Sequence, residues 1–343
     1  MKYKFVAPVF GLKIKKKVDK GLRLGNVHLS NSKNFLNKSV LETPFPEVLG
    51  KYNLYDFYDD RDIENIYVNN YFYLEGEISD INTSEELSEK QGESGFATIL
   101  VALLLLDIQK YLRKLWLLKD NSIYARDGFV CFYPEDGDSR IFRFSLKDIY
   151  YDISVERKAV EFTKYELESA FKKYLSVEEN SFSFIKCNTV DSIIKFDKNY
   201  NSMNLFSKKT IINNVEKSEY FIQMSRNEFH TDLKIFFYVS AIEALLMSDS
   251  KSEVTHQVSE KIAHLLGKTS DEKISYYDQM KKIYTVRSAI AHGSTYKNMT
   301  DDYLVSLCIF LDETLRLLLT DYIDLFKKDK KELNKYLKEL CLI

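Results

Sequence analysis

The amino-acid sequence predicts an α+β N-terminal domain over residues 1–195 and an all-α helical bundle over residues 196–343. Three observations lead to this fold class. Strand-like segments fill much of the first half, helical periodicity dominates the second, and a chain of 343 residues that is 45% hydrophobic is long enough for two domains. Because no linker of unusual composition separates the halves, the change of period places the boundary between residues 180 and 200.

The first half contains the clearest β-hairpin of the sequence. Residues 128–133 and 140–145 are rich in aromatic and β-branched side chains, and the residues between them include the proline, aspartate and glycine that favour turns. Residues 66–74 have the aromatic and β-branched composition of one strand or two short ones.

Two helices are predicted in the first half, at residues 95–118 and 163–178. The first contains the most hydrophobic run of the chain, residues 96–106, which falls short of the roughly 20 apolar residues of a membrane span. It is therefore predicted to be a buried central helix, and no membrane partner is expected. Residues 92–95 match no phosphate-binding glycine motif, so a loop is predicted there.

Regular helical spacing predicts the elements of the second half. One or two helices are predicted in residues 208–247, and residues 233–246 are apolar on nearly every face, as in a central helix. Gly267 is predicted to end the next helix in the left-handed conformation. A capping box of Thr269 and Glu272 then begins a helix with an inward-facing stripe. That stripe consists of Tyr276, Met280, Ile283, Arg287 and Ile290.

The last long helix is predicted to start at Thr300 and to carry a four-three alternation of mainly apolar residues. The alternation comprises Leu304, Cys308, Leu311, Leu315, Leu318, Tyr322 and Leu325. Such a seam requires a partner surface, either inside the bundle or across a dimer. The lysine-rich residues 327–338 are predicted to form a short solvated helix.

Composition limits the classes of function. The formal net charge of −2 provides no overall basic field, so any contact with RNA must be local. The four cysteines have no CxxC spacing, and no His and carboxylate spacing typical of a metal site occurs, so neither a disulfide framework, a metal nor another cofactor is expected. The N-terminus lacks the features of a signal peptide, which predicts a cytoplasmic protein.

Residues 284–293 form the strongest candidate site. Ser288 and His292 are four residues apart and share a helix face, whereas Arg287 and His292 are separated by roughly 140° around the axis. One straight helix therefore cannot aim both side chains squarely at one phosphate. Either the long arginine reaches sideways or a second copy of the helix completes the site by two-fold pairing, and the spacing mildly favours the dimer.

The residue types at this helix end suit cleavage of RNA without a metal. Free carbonyls in a last helical turn attract an imidazolium cation, and histidine is the usual side chain for proton transfer near neutral pH. A guanidinium can stabilise a phosphate whose charge grows in the transition state. Arg287 and His292 are therefore candidate groups for attack of the 2′-hydroxyl on the adjacent phosphate.

Two further residues are predicted to support this site. Glu243 is the only acid in the apolar run 233–246, and a buried carboxylate requires a partner. Arg287 is a natural candidate, although an ion pair elsewhere in the bundle fits as well. Ser288 either contacts RNA or the paired segment, or is an ordinary helix serine. The alternative for Arg287 and His292 themselves is a surface ion pair and a histidine that caps its own helix.

Residues 287–292 fit the RxxxxH motif of the HEPN superfamily. Together with residues 238–246 and 258–267, the segment 284–293 resembles the ApeA-like HEPN domains of bacterial anti-phage systems. The resemblance covers residues 205–325. It implies a helical domain that dimerises so that two RxxxxH motifs line one cleft, with Arg287 and His292 as the catalytic residues. It also implies a metal-independent endoribonuclease that is held inactive until infection. The toxin branch of the superfamily has a tyrosine two residues after the histidine, where this chain has Ser294.

The resemblance leaves the first half unexplained, so the domain at residues 1–195 is expected to sense a trigger, phage-derived or other, or to restrain the site. A non-catalytic HEPN dimer that binds RNA, a nucleotide or a partner protein remains an alternative, as does a pure assembly module. His256 and His264 are predicted to be surface or half-buried residues. A basic stretch either binds single-stranded RNA or protects a strand edge. It comprises Lys13, Lys15, Lys16, Lys17, Lys20 and Arg23.

Overall fold

The computed structural model describes residues 1–18, 21–31, 70–137, 139–147, 149–177, 188–200, 213–247, 253–294 and 299–341. The chain forms two compact units. One comprises Met1–Ile149 with Lys158–Met203, and the other Tyr150–Arg157 with Asn204–Ile343. The first unit is α+β and the second is mostly helical, which confirms the predicted fold class. The main division lies a few residues beyond the predicted position, and the inclusion of Tyr150–Arg157 in the second unit was not foreseen.

The first unit is built on an antiparallel sheet of six strands in the order β3-β4-β5-β1-β6-β7. These strands are β1 (Lys2–Pro8), β3 (Leu22–Leu24), β4 (Val27–Ser30), β5 (Tyr71–Glu77), β6 (Asp127–Tyr133) and β7 (Arg140–Ser145). A separate pair, β2 (Leu12–Ile14) and β8 (Val160–Phe162), runs parallel. The predicted hairpin is confirmed, with Val130 paired to Phe142. The strand predicted at 66–74 is observed as β5, and its first four positions lie outside the described residues.

Four helices of the first unit lie in the described ranges: α1 (Ser84–Gln91), α2 (Glu93–Trp116), α3 (Lys164–Val177) and α4 (Val190–Tyr200). The predicted central helix is confirmed as α2, which packs on β6 and β7 and buries Leu100, Leu104 and Ile108. The loop predicted at 92–95 is wrong. Gly92 alone separates the helices, because its positive φ of 71° ends α1 and its carbonyl already accepts from Phe96 in the first turn of α2.

Helix α2 also bears on the membrane prediction. Among the described residues it is the one helix long and apolar enough to cross a bilayer, and 67% of its most apolar window is buried inside the protein. The central helix of a folded domain has the same length and composition.

The second unit is a helical bundle around one central element. Its helices are α5 (Asn214–Asn227), α6 (Thr231–Leu246), α7 (Val254–Leu266), α8 (Ser270–Ala291), α9 (Asp301–Asp321), α10 (Ile323–Phe326) and α11 (Lys330–Leu340). The predicted central helix is confirmed as α6, which contacts α5, α7, α8 and α9. The seam of α9 finds its partner surface in α6 of the same chain, where Cys308, Leu311 and Leu315 are fully buried.

The C-terminal helix is less solvated than its composition suggests. Leu333 and Leu337 of α11 are buried, and the helix packs against α7. These leucines are four residues apart and therefore form one apolar face among the lysines. The prediction of a solvated helix thus holds for one side of α11 and is wrong for the other.

Helix α8 carries the candidate site, and side-chain hydrogen bonds cap its first turn. Thr269 Oγ1 accepts a hydrogen bond from Glu272 N at 3.2 Å, and Glu272 Oε2 accepts one from Thr269 N at 3.1 Å, which confirms the capping box. The inward stripe of α8 is also confirmed, because each of its members is buried or half-buried.

The prediction for Gly267 is wrong. Its φ of −79° and ψ of 119° are extended rather than left-handed. A glycine is needed here for a different reason, because a Cβ at this position would lie 2.7 Å from the backbone nitrogen of Lys273. The close approach of α7 and α8 therefore selects glycine at the joint that leads into the site helix.

Candidate functional site

The C-terminal end of α8 is closed by backbone hydrogen bonds. Helix α8 ends at Ala291, His292 is the capping residue, and Gly293 adopts the left-handed conformation with φ of 63°. Gly293 N donates to Ile290 O at 3.1 Å and Ser294 N donates to Ala289 O at 2.9 Å. This pair of bonds is a Schellman motif, so the predicted glycine stop is confirmed.

Gly293 therefore determines where the helix ends, and with it the position of His292. We expect Gly293→Ala to lower the free energy of unfolding by about 1 kcal/mol, because the left-handed conformation is strained for alanine. Among the described residues, no atom lies within 4 Å of a Cβ built at this position, so none of them adds a steric clash to that strain. Gly293→Asn is expected to cost less, since asparagine tolerates this conformation. Urea unfolding of the three proteins measures the difference, and an Ala variant as stable as the wild type would contradict it.

His292 and Ser288 are both exposed on the last turns of α8. Within the part of the chain that the structure describes, no hydrogen bond or ion pair joins the His292 imidazole to another residue. The exposure leaves His292 open to a substrate or to a second protein chain. A His292 buried inside one protomer would have contradicted the composite site, and that arrangement is not observed.

Arg287 lies on the side of α8 that faces α6. Its side chain is 31% exposed, its Nη2 lies 3.8 Å from Glu243 Oε2, and its guanidinium carbon lies 5.0 Å from the centre of the Phe236 ring. Glu243 and Phe236 belong to the same helix, α6, and are seven residues apart. The predicted pairing of Glu243 with Arg287 is therefore present in the structure.

Tyr284 completes the surroundings of Glu243. Its hydroxyl donates to Glu243 Oε1 at 3.1 Å, and the residue is only 6% exposed. Burial, and next the Glu243 carboxylate, raise the pKa of Tyr284, while the nearby Arg287 cation opposes them. The phenol is therefore protonated at physiological pH and is available as a donor.

The structure connects the predicted residues only in part. It brings Arg287 and Glu243 together, while Ser288 and His292 lie on a separate, exposed part of α8. This separation is the one expected from the helical spacing. Tyr284 and Phe236 were not predicted, although a signal was available: Tyr284 is one turn before Arg287, and Phe236 is two turns before Glu243.

The two histidines of α7 lie next to residues of α8. His256 is exposed with Nδ1 2.9 Å from the Tyr277 hydroxyl, and half-buried His264 has Nδ1 3.3 Å from Lys273 Nζ. Their predicted surface or half-buried positions are confirmed. The described residues contain no group of three or more His, Cys, Asp or Glu side chains able to hold a metal ion.

The basic stretch and the cysteines are two other features of the sequence, and their described members lie outside the candidate site. Lys13 lies on β2 and pairs with Glu161 of the neighbouring β8 at 3.7 Å, whereas Lys20 lies outside the described residues. Cys131, Cys308 and Cys341 are free thiols, and Cys187 is not among the described residues.

Comparisons of the chain with protein-family models, with curated proteins and with solved structures found no match in any of the three.

Proposed function

We propose that this protein is a metal-independent endoribonuclease of the HEPN type in which Arg287 and His292 act at a composite site between two copies of the chain. The observation that carries the proposal is the arrangement at the end of α8. A half-buried arginine is held by Glu243, while the histidine five residues later is exposed and joined to no other described side chain. An arginine with donors to spare and an accessible histidine are the two groups that cleavage by 2′-hydroxyl attack requires.

The proposed reaction breaks the bond from phosphorus to the 5′-oxygen. The 2′-hydroxyl loses its proton to a neutral imidazole and attacks phosphorus, and the non-bridging oxygens gain negative charge that the Arg287 guanidinium stabilises. An imidazolium donates a proton to the departing 5′-oxygen. The imidazolium formed in the first transfer is this donor, so each site uses one His292, and a two-fold dimer contains two such sites, each with Arg287 of the other protomer. The products are a 2′,3′-cyclic phosphate and a 5′-hydroxyl end.

The biological setting follows from the resemblance. We place the enzyme in a bacterial defence system of the abortive-infection or toxin type, acting in the cytoplasm. The α+β unit is proposed to sense a trigger or to restrain the helical unit. The net charge of −2 agrees with a substrate that is held locally at the site rather than along the whole molecule.

Product chemistry tests the proposal. Purified protein is incubated with a labelled RNA in the presence of EDTA, and the new ends are identified. Fragments with 5′-hydroxyl and cyclic phosphate ends are expected, whereas 5′-phosphate ends or loss of cleavage in EDTA would contradict the mechanism. Tight RNA binding without cut products would instead favour the non-catalytic dimer. Because a defence enzyme is held inactive until triggered, RNA from phage-infected cells that express the protein is analysed in parallel.

A further inference from the structure

The two oxygens of Glu243 have different partners at different distances. Oε1 accepts the Tyr284 hydroxyl at 3.1 Å, while Oε2 lies 3.8 Å from Arg287 Nη2. A hydrogen bond between a guanidinium and a carboxylate is normally about 2.7–2.9 Å long. Arg287 is therefore attracted by Glu243 without being hydrogen-bonded to it, and its N–H donors are not committed to the carboxylate.

We infer that Tyr284 is a positioning residue that keeps Glu243 from closing on Arg287, so that the guanidinium donors stay available for an RNA phosphate. The inference rests on the proposed function, because it assigns Arg287 the phosphate as its ligand. It adds a residue outside the RxxxxH motif, and it gives the hydroxyl of that residue a defined task.

The physical reason is competition for one carboxylate. Glu243 is only 24% exposed, and a half-buried carboxylate accepts hydrogen bonds from the donors near it. With the Tyr284 hydroxyl present, one oxygen of Glu243 already accepts a hydrogen bond. Without the hydroxyl, the nearest strong donor is Arg287, which needs to move by only about 1 Å to form the paired hydrogen bonds that guanidinium and carboxylate favour.

The ring of Phe236 supports the same arrangement. A guanidinium whose carbon lies 5.0 Å from the centre of an aromatic ring is held by attraction to the ring. This contact holds Arg287 in place without using any of its N–H donors. Arg287 Nε is buried and has no hydrogen-bond partner in the described part of the chain, so the ring and the long ion pair are the contacts that hold the head group.

A double-mutant cycle tests the inference. The dissociation constant for a 2′-O-methyl RNA oligonucleotide, which cannot be cleaved by this route, is measured for the wild type, Tyr284→Phe, Glu243→Gln and the double variant. Tyr284→Phe is expected to weaken binding about tenfold, since a hydrogen bond to a charged group is diverted from the phosphate. In the Glu243→Gln background the same tyrosine change is expected to have no effect, because the competing carboxylate is gone.

A matched control separates this role from a structural one. Tyr277→Phe removes a hydrogen-bonded hydroxyl from the same helix, away from Glu243, and should leave RNA affinity unchanged. If Tyr284→Phe binds like the wild type, or weakens binding equally in both Glu243 backgrounds, the inference is overturned.

Arg287→Ala distinguishes failure of the inference from failure of the proposed function. If this variant binds the oligonucleotide as tightly as the wild type, the RNA site itself is wrong. The role of Tyr284 is then decided by a crystal structure of Tyr284→Phe. A distance below about 3.2 Å between Arg287 and Glu243 supports the inference, and a distance that stays at 3.8 Å overturns it.

Discussion

His292→Ala is expected to reduce RNA cleavage by about 10²- to 10⁴-fold while the protein stays folded. The loss has this size because general acid–base catalysis by a positioned side chain contributes that much. The fold is expected to be unaffected, since the side chain is exposed and the helix end is closed by backbone bonds of Gly293 and Ser294. Single-turnover cleavage of a labelled RNA and circular dichroism measure the two quantities.

His256→Ala is the matched control for this change. His256 is also an exposed histidine of the helical unit, but it pairs with Tyr277 and has no proposed part in the reaction. Its replacement should leave cleavage unchanged. Equal cleavage by wild type and His292→Ala, with both proteins folded, would contradict the catalytic assignment. If the purified enzyme is held inactive, loss of growth arrest or of phage resistance in the His292 variant gives the same comparison in cells.

Arg287→Ala is expected to lower kcat/KM by about 10²- to 10³-fold, the usual cost of removing one donor to a transition-state oxyanion. Arg287→Lys should recover only part of the loss. Lysine keeps the charge, but it lacks the planar guanidinium that can bind two phosphate oxygens at once. It also lacks the contact of that guanidinium with the Phe236 ring. Steady-state kinetics on an RNA oligonucleotide measure both variants.

Lys282→Ala controls for the general loss of positive charge. Lys282 is exposed on the same helix, five residues before Arg287. Its removal should lower kcat/KM only slightly, because it weakens the nonspecific attraction of the RNA. A fall in kcat/KM as large as that of Arg287→Ala would show that charge alone matters. If Arg287→Ala instead changes the oligomeric state and the wild type never binds nucleic acid, the protein is an assembly module.

Local signals predicted α8 well. The capping box at Thr269, the inward stripe and the glycine stop at Gly293 depend on residues within a few positions of one another, so helical geometry alone determines them. The pairing of Glu243 with Arg287 could also be predicted, because a lone acid in an apolar helix needs a partner and few cations lie on inward faces.

The features that the sequence did not reveal depend on packing between elements. Gly267 is extended because α7 and α8 approach closely there, and no nearby residue signals that approach. The buried face of α11 depends on its contact with α7. Tyr284 and Phe236 belong to the site because two helices meet there. In the sequence they look like ordinary core residues, so their residue types do not mark them as part of a site.

Complementation between two inactive variants tests the composite site most directly. Arg287→Ala and His292→Ala proteins are mixed, allowed to exchange subunits, and assayed for RNA cleavage. If Arg287 of one protomer acts with His292 of the other, each mixed dimer keeps one of its two sites intact. Random exchange of equal amounts makes about half of the dimers mixed, so the mixture should recover about a quarter of wild-type activity. Native mass spectrometry confirms that mixed dimers have formed. Mixed dimers that are as inactive as either parent would contradict a site shared between two copies.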